Sequence, residues 1–316
     1  MTDQIKELAV VIPVFNEESI ISQNLAEIRR VLNETGISCR YLLIDDGSTD
    51  STWAVLQDLR ELYKDLSAIR LSRNFGKEAA ISAGLDNIDA NLYLIMDSDL
   101  QHPPHYVKDM LNLMEKEQAD IVNGVKSARN KENIIYRYCA KKFYRLLRLL
   151  TGLELIDSSD FKLLNRRVVD ALRRFDEKSL FFRGLVNWVG FKSVSFPFTV
   201  DQRTNGASRF TTGKLLKLAQ HSTLAYSGKP LYLTILAGFT FLAIAAILAI
   251  QTLYNYLSGV ALSGFTTVIL LILFTGALIL ISLGIIGVYL ALIYDEIKGR
   301  PRYIISEYAG LEVGKG

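Results

Sequence analysis

At 316 residues the chain has room for one large domain or two smaller ones, but its apolar residues, half of the total, are spread too unevenly for a purely soluble protein. The net charge of +3 is mild, and no nucleic-acid partner is expected. Cys39 and Cys139 form no close-spaced pair, which points away from a cysteine metal site or a disulfide framework.

The first apolar run, Leu8 to Val14, reads as a strand. The apolar run, Leu8 to Phe15, is too short for a cleavable signal, has no basic leader and is interrupted by Pro13. Pro13-Val14-Phe15-Asn16-Glu17-Glu18 closes it with a polar cluster. Pro13 would end a strand, and Glu17 would favour a helix N-terminus. A second strand, Tyr41 to Ile44, opens into Asp45-Asp46-Gly47-Ser48-Thr49-Asp50. Asp45 or Asp46, at the end of a buried strand, is placed to accept hydrogen bonds from a base or ribose. Gly47 to Asp50 also spells an ordinary turn and helix cap, the reading preferred for Ser48, Thr49 and Asp50. The third strand, Ala68 to Leu71, leads into Arg73-Asn74-Phe75-Gly76-Lys77, whose two cations either face a diphosphate or sit on a rim.

The fourth run, Leu92 to Met96, delivers Asp97-Ser98-Asp99-Leu100-Gln101-His102-Pro103-Pro104. Two carboxylates one residue apart at the rim of a sheet suit a hard divalent cation. Held by so few protein ligands, Mg²⁺ or Mn²⁺ completes its shell with substrate phosphates and water. The bland alternative is a polar turn capping a helix that starts near Pro104. A fifth strand is expected from Asp120 to Val125. Strands alternating with helical patterns predict a doubly wound α/β domain with a largely parallel sheet, and ligands then bind beyond the carboxyl ends of its strands.

Asn133 to Leu150 reads as a helix with Arg137, Lys141, Arg145 and Arg148 on one face and Ile135, Cys139, Phe143, Leu146 and Leu150 on the other. That pattern fits a membrane surface or a solvated face over a core, and the apolar stretches further on favour lipid. Asp157-Ser158-Ser159-Asp160 is a second acidic group, and Asp201 to Gly213 is the nearest thing to a domain boundary. Leu231 to Tyr294 contains no charged residue and no histidine. Two membrane spans are expected there, Tyr232 to Tyr254 and Phe265 to Tyr294, joined by Asn255 to Gly264. Lys214, Lys217 and Lys229 precede them, and Lys298, Arg300 and Arg302 follow. Both flanks, and with them both termini, are therefore expected on the cytoplasmic side of the cell membrane. The expected organisation is a catalytic domain over 1–212, a juxtamembrane segment over 213–230, the spans over 231–294 and a tail over 295–316.

The four strand-end motifs occur in the order and approximate spacing of inverting GT-A glycosyltransferases of family 2. More narrowly, the chain resembles polyprenyl-phosphate glycosyltransferases, including dolichol-phosphate mannose synthases and bactoprenol glucosyltransferases. The resemblance implies a GT-A (nucleotide-diphospho-sugar transferase) fold. It implies metal ligation by Asp97 and Asp99 with Gln101 joining, and a nucleotide pocket made by Pro13, Phe15, Glu17, Asp45, Asp46, Asp97 and Ser98, with Asp45 favoured for the base or ribose. Asp99 and Asp157 would be the catalytic carboxylates, Asp157 rather than Asp160 on resemblance alone. Arg203-Thr204-Asn205-Gly206-Ala207-Ser208-Arg209 is similar to an Arg, Gly and Ser-Lys signature of the family, with Arg209 in place of Lys.

An acceptor phosphate calls for guanidinium forks, and Arg129, Arg137, Arg203 and Arg209 are the candidates. They also read simply as juxtamembrane positive charges. The expected activity is inverting transfer of one sugar, glucose from UDP-glucose in preference to mannose from GDP-mannose, to polyprenyl (undecaprenyl) phosphate. Three readings compete: a processive synthase, disfavoured by the lack of a Gln-x-x-Arg-Trp segment and of additional spans; a metal-dependent nucleotidyltransferase, which would want a Gly-rich phosphate loop where this chain has Asn16-Glu17-Glu18; and a membrane-anchored, non-catalytic nucleotide-sugar-binding protein. Two spans make a small membrane footprint, which would suit a homo-oligomer.

Overall fold

The structure is a computed structural model that describes residues 7–126, 158–175, 177, 182–199, 229–259 and 264–310. They fall into two compact units, an α/β unit that also takes in the chain from Pro301 onward and a helical unit that ends at Arg300.

In the α/β unit the elements run β1 (Glu7–Val14), α1 (Ile21–Asn33), β2 (Ser38–Asp45), α2 (Thr52–Leu62), β3 (Leu66–Leu71), α3 (Lys77–Asp86), β4 (Leu92–Ile95), α4 (Val107–Glu117) and β5 (Ile121–Lys126). They continue with β6 (Ser158–Asn165), α5 (Arg166–Leu172), α6 (Phe182–Trp188), β7 (Ser193–Phe198) and, after the helical unit, β8 (Ile305–Ala309). One sheet holds all eight strands in the order β7-β5-β6-β4-β1-β2-β3-β8. β1 is buried nearly end to end, and its alternate side chains feed two cores. Leu8, Val10 and Ile12 pack with Ile21, Leu25 and Ile28 of α1, Trp53 and Leu56 of α2 and Met110 of α4. Ala9 and Val11 pack on the opposite face with Ala80 and Ile81 of α3, Val168 of α5 and Leu185 of α6. Helices on both faces make the fold doubly wound, as the alternating pattern predicts.

The sheet is mixed rather than largely parallel. The expected strands β1 to β4 pair in parallel, and β7 runs parallel to β5. But β6 inserts antiparallel between β4 and β5, and β8 lies antiparallel on β3. The sequence reading assigned no strand to β6, β7 or β8. β6 carries Asp160 and Lys162 into the interior, which breaks its apolar signal, while β7 and β8 are short edge strands with Pro197 and Glu307 in them.

Two close approaches fix the loops around the strand ends. Gly84 lets α3 settle on the sheet, since a Cβ there would stand 2.4 Å from Val11 Cγ1 and 2.8 Å from Ile44 Cδ1. Gly47, at φ +66°, lies against the next loop, where a Cβ would meet the Arg73 carbonyl carbon at 2.3 Å. α6 docks on α3 through Glu78, whose carboxylate accepts the Phe182 N–H at 2.8 Å. Burial, reinforced by the Asp160 carboxylate, pushes the Glu78 carboxyl up to about 7.

In the helical unit, α7 (Lys229–Leu257) and α8 (Phe265–Ile297) contain stretches, Thr234–Asn255 and Leu271–Ile297, that are long and apolar enough to cross a membrane, with none of their most apolar windows buried. Their hydroxyls turn back on their own helices: Thr240, Thr252, Thr275 and Ser282 donate to the carbonyls of Leu236, Leu248, Leu271 and Leu278 at 2.6–2.9 Å. Those donors are thereby satisfied without water. Phe241 and Phe274 stack at 5.3 Å between ring centroids. The basic segment Asn133 to Leu150 and the boundary from Asp201 to Gly213 lie outside the described residues.

Gly47→Ala combines a left-handed backbone with a clash against backbone, so a loss of at least about 2 kcal/mol is expected, read as a lower thermal midpoint in detergent. For Glu78 the folded pKa is raised, so its contribution is fully present below the unfolded value of 4.5 and is lost as pH rises through about 7. Glu78→Gln should flatten that decline. At pH 8 the variant should exceed the parent by about 2 kcal/mol, measured as thermal midpoints from pH 5 to 8.5.

Candidate active site

At the carboxyl ends of β1, β2 and β4 lies an open cleft of about 290 Å³ lined by Pro13, Val14, Phe15, Glu17, Asp46, Asn74, Gly76, Lys77, Asp97, Ser98 and Asp99. Four of these side chains are acidic and one is basic, so the cleft wall favours a cation. The cluster after each of the first four strands reaches it, because the loops are tied to one another. Ser48 Oγ accepts the Asn16 N–H and Thr52 Oγ1 the Glu17 N–H, both at 2.9 Å. Asn16 Oδ1 accepts the Thr49 N–H at 2.9 Å. The Asp46 carboxylate takes the N–H groups of Phe75 and Gly76 at 2.8 and 2.9 Å, which holds the third loop against the second. Asp50 accepts from the Thr52 N–H and hydroxyl at 3.0 and 2.6 Å. Ser48, Thr49 and Asp50 thus hold the loops together.

Asp45 differs from the expectation in its surroundings. Its side chain is wholly buried and does not line the cleft; Oδ1 accepts the Ser48 N–H at 2.9 Å, and Oδ2 faces Arg70 Nε at 3.3 Å. Burial pushes its carboxyl up, with Ser48 and Arg70 working against the shift. Asp46 is the member of the pair that reaches the cleft surface.

Asp97 and Asp99 both face the cleft. Asp97 Oδ1 pairs with Lys77 Nζ at 2.5 Å, and Lys77 Nζ also reaches Asp160 Oδ2 at 2.8 Å. Arg183 grips Asp160 with two nitrogens, Nε to Oδ1 at 2.7 Å and Nη2 to Oδ2 at 3.0 Å. Burial opposes the charge on Asp160, yet Arg183 and Lys77 hold its carboxyl well below the usual range. Burial likewise opposes the charge on Lys77, and Asp97 and Asp160 outweigh it, so its pKa is raised. Asp99 accepts from the Gln101 N–H at 3.1 Å and the Gln101 side-chain amide at 2.6 Å. Leu100, at φ +58°, makes the turn that brings these groups together.

The turn is braced from below by His102. Its Nδ1 accepts the Asp97 N–H at 3.0 Å, and its ring stacks on Phe161 at 5.1 Å and meets Phe198 edge-on at 6.0 Å. Burial pulls its pKa down to about 4, so the ring is neutral with its proton on Nε2. Burial pushes the Glu17 carboxyl up, with the neighbouring Ser98 working against the shift, and the Ser98 backbone carbonyl accepts from Asn24 Nδ2 at 2.8 Å. Glu17 Oε2 is buried with no hydrogen-bond partner among the described residues.

These groups fit a divalent cation. Two hard carboxylates share a rim, a third carboxyl has an unmatched buried oxygen behind them, and the wall is acidic. Among the described residues no group of three His, Cys, Asp or Glu side chains makes a ready cage, so most of a cation's shell would come from elsewhere. Asp157, Arg129, Arg137, Arg203 and Arg209 lie outside the described residues. Sequence reasoning left Asp160 second to Asp157, held Lys77 even between two roles and passed over Arg183, Glu78 and His102. For Asp160 a signal is present: Asp160 and Lys162 alternate with Phe161 and Leu163, the period of a strand with one polar face.

The glycosyl transferase family 2 model matches residues 9–173, the stretch that carries all four strand-end motifs. The uncharacterized glycosyltransferase YkcC of Bacillus subtilis is 34% identical over 97% of this chain and 95% of its own length. The SfII prophage-derived bactoprenol glucosyl transferase of Shigella flexneri is 30% identical over 95% and 98%. Among solved structures, the mannosyltransferase PcManGT from Pyrobaculum calidifontis, in complex with GDP-Man and Mn²⁺, aligns with a TM-score of 0.49 and 16% identity over 87% of this chain and 86% of its own, a distant likeness. By its family match and its near full-length relatives, this chain belongs to glycosyl transferase family 2.

Proposed function

We propose that the protein transfers one sugar from a nucleotide-diphosphate donor to a polyprenyl phosphate with inversion at the anomeric carbon, using UDP-glucose and undecaprenyl phosphate as its pair. The observation that carries this reading is the pairing of two opposite sites within one ion network. The Asp97 and Asp99 carboxylates face the cleft, and Lys77 links Asp97 to the Asp160 and Arg183 pair. The first set suits a cation that accompanies a diphosphate, and the second holds fixed positive charge beside it. The bactoprenol glucosyl transferase relative supports the lipid acceptor and glucose.

In this reading Pro13, Phe15, Glu17 and Asp46 receive the nucleotide, with Asp45 supporting that pocket from within. Asp97 and Asp99, joined by Gln101, hold the Mg²⁺ or Mn²⁺. When bound, the metal neutralises charge that builds on the leaving diphosphate. The bond that forms joins an acceptor phosphate oxygen to the anomeric carbon. The bond that breaks frees the nucleoside diphosphate, which takes the electron pair. A phosphate monoester is already substantially ionised at neutral pH, with its second pKa near 6, so no strong base is required. Asp160, held ionised between two cations, is poorly suited to take a proton and instead fixes Lys77 and Arg183. Any assistance to the acceptor falls to Asp157, with Arg129, Arg137, Arg203 and Arg209 as its phosphate contacts.

The chain leaves the α/β unit before α7 and rejoins the same sheet as β8, a return that suits an even number of crossings. With basic residues on both flanks, this supports two spans with the catalytic domain and both termini in the cytoplasm.

The test is incubation of the purified full chain with radiolabelled UDP-glucose, GDP-mannose and other nucleotide sugars plus undecaprenyl phosphate, with and without EDTA. Labelled lipid from UDP-glucose alone, lost with EDTA, is expected; label from GDP-mannose instead would reassign the donor. Asp97→Ala should lower transfer at least roughly 100-fold while the protein stays folded and membrane-bound, and retained transfer would remove the metal assignment.

A further inference from the structure

The segment that follows the second apolar helix is tied into the nucleotide side of the cleft. β8 pairs with β3 in a register that places Glu307 opposite Arg70. Glu307 Oε1 accepts from Arg70 Nη1 at 3.0 Å, and Glu307 Oε2 accepts the Trp53 Nε1–H at 2.9 Å. Arg70 then spends its other two nitrogens on the end of β2: Nε faces the Asp45 carboxylate at 3.3 Å and Nη2 donates to the Ser48 carbonyl at 3.2 Å. Two guanidinium nitrogens thus have hydrogen-bond acceptors, Nη1 in β8 and Nη2 in the turn after β2, while Nε lies within ion-pair distance of Asp45 at the end of β2. The group also lies 5.9 Å from the Trp53 ring centroid. The rest of the segment is anchored as well. The Ile304 carbonyl accepts the Ser72 N–H at 2.8 Å, Ser306 Oγ donates to the Arg70 carbonyl at 3.2 Å, and Tyr303 Oη donates to Asp86 Oδ2 at 2.9 Å at the far end of α3.

We infer that Glu307 is a positioning residue for the nucleotide donor, acting through Arg70 on the turn from Asp45 to Ser48. The inference rests on the reading of the cleft as a nucleotide-sugar site. Its physical basis is the buried Asp45 carboxylate, which needs a cation held at a fixed angle. A guanidinium fork gives that angle only when its outer nitrogen is also fixed. Glu307 fixes it. The Asp45 to Ser48 turn then sets the cleft wall, because Asp46 carries the Phe75 and Gly76 backbone and Ser48 Oγ carries that of Asn16. Loosening Arg70 would therefore disturb the donor pocket while leaving the Asp97, Lys77 and Asp160 network and the lipid side untouched.

The experiment compares the full-length parent with Glu307→Ala, Glu307→Gln and the control Ser306→Ala. It measures binding of UDP by calorimetry and the steady-state constants for UDP-glucose and for undecaprenyl phosphate. Glu307→Ala should raise the UDP dissociation constant and the donor KM about tenfold or more, the loss expected for one charge-assisted hydrogen bond. kcat and the acceptor KM should stay near the parent values. Glu307→Gln, which keeps a single acceptor oxygen for Trp53 or Arg70 and loses the charge, should fall between, and it decides the outcome where Glu307→Ala does not fold. Unchanged UDP affinity in folded Glu307 variants would overturn the inference, as would equal losses for donor and acceptor. A parent that binds no nucleotide would instead overturn the donor reading of the cleft.

Discussion

Lys77 stands between two carboxylates, and much of the cleft depends on that shared ion pair. It joins the N-terminus of α3 to the end of β4 through Asp97 and to β6 through Asp160, and Arg183 extends the chain of charges to α6. Four elements are thereby held at one point beyond the sheet. Burying an ionised side chain such as Asp160 is costly, and the cost is offset only when the charge has close partners, here the more exposed Lys77 and Arg183. Asp160 meets that condition with two cations, and Lys77 with two anions. The β4 turn is held from two sides, the Asp97 carboxylate by Lys77 and the Asp97 N–H by His102.

The same logic explains what could be read from the chain and what could not. β1, β2, β3 and β4 are apolar runs that end abruptly in polar clusters, so strand and site announce each other. Asp46, Asp97, Asp99 and Glu17 were all found this way and all line one cleft. β6 was invisible because its interior face carries Asp160 and Lys162, both buried, so its charges obscure the strand. Lys162 needs Asn123 as a partner at 2.5 Å on the neighbouring strand, a relation that no local pattern encodes. β8 is five residues long and lies far along the chain from β3, so nothing nearby marks it as part of the sheet. Asp45 shows the converse limit. Its place at a strand end was legible, but whether its carboxylate faced the cleft or the interior depended on Arg70 and on the loop laid over Gly47.

The helical unit answers to a different solvent. α7 and α8 present large aliphatic side chains outward, Leu236, Ile250 and Leu280 among them, at 63%, 70% and 70% exposure. A soluble protein rarely leaves so continuous an apolar surface in water. Hydroxyls that donate to carbonyls one turn back complete the match, since in hydrocarbon a free donor would have no partner. The glycines of α8 leave their faces open, with no neighbouring atom within 4 Å of an added Cβ at Gly276, Gly284 or Gly287.

The antiparallel strand β8 also imposes an order on synthesis. Arg70 and Glu307 are 237 residues apart, and both apolar helices are made in between. At bacterial and eukaryotic elongation rates the ribosome needs roughly 10–50 s to cover that interval. Through that time the β3 edge is bare, with unpaired backbone groups able to recruit a strand from another chain. The catalytic sheet therefore closes last, after the helices have emerged. A chain truncated just past α8 would keep every cleft residue yet carry an open edge, so β8 acts as a seal on an otherwise finished domain.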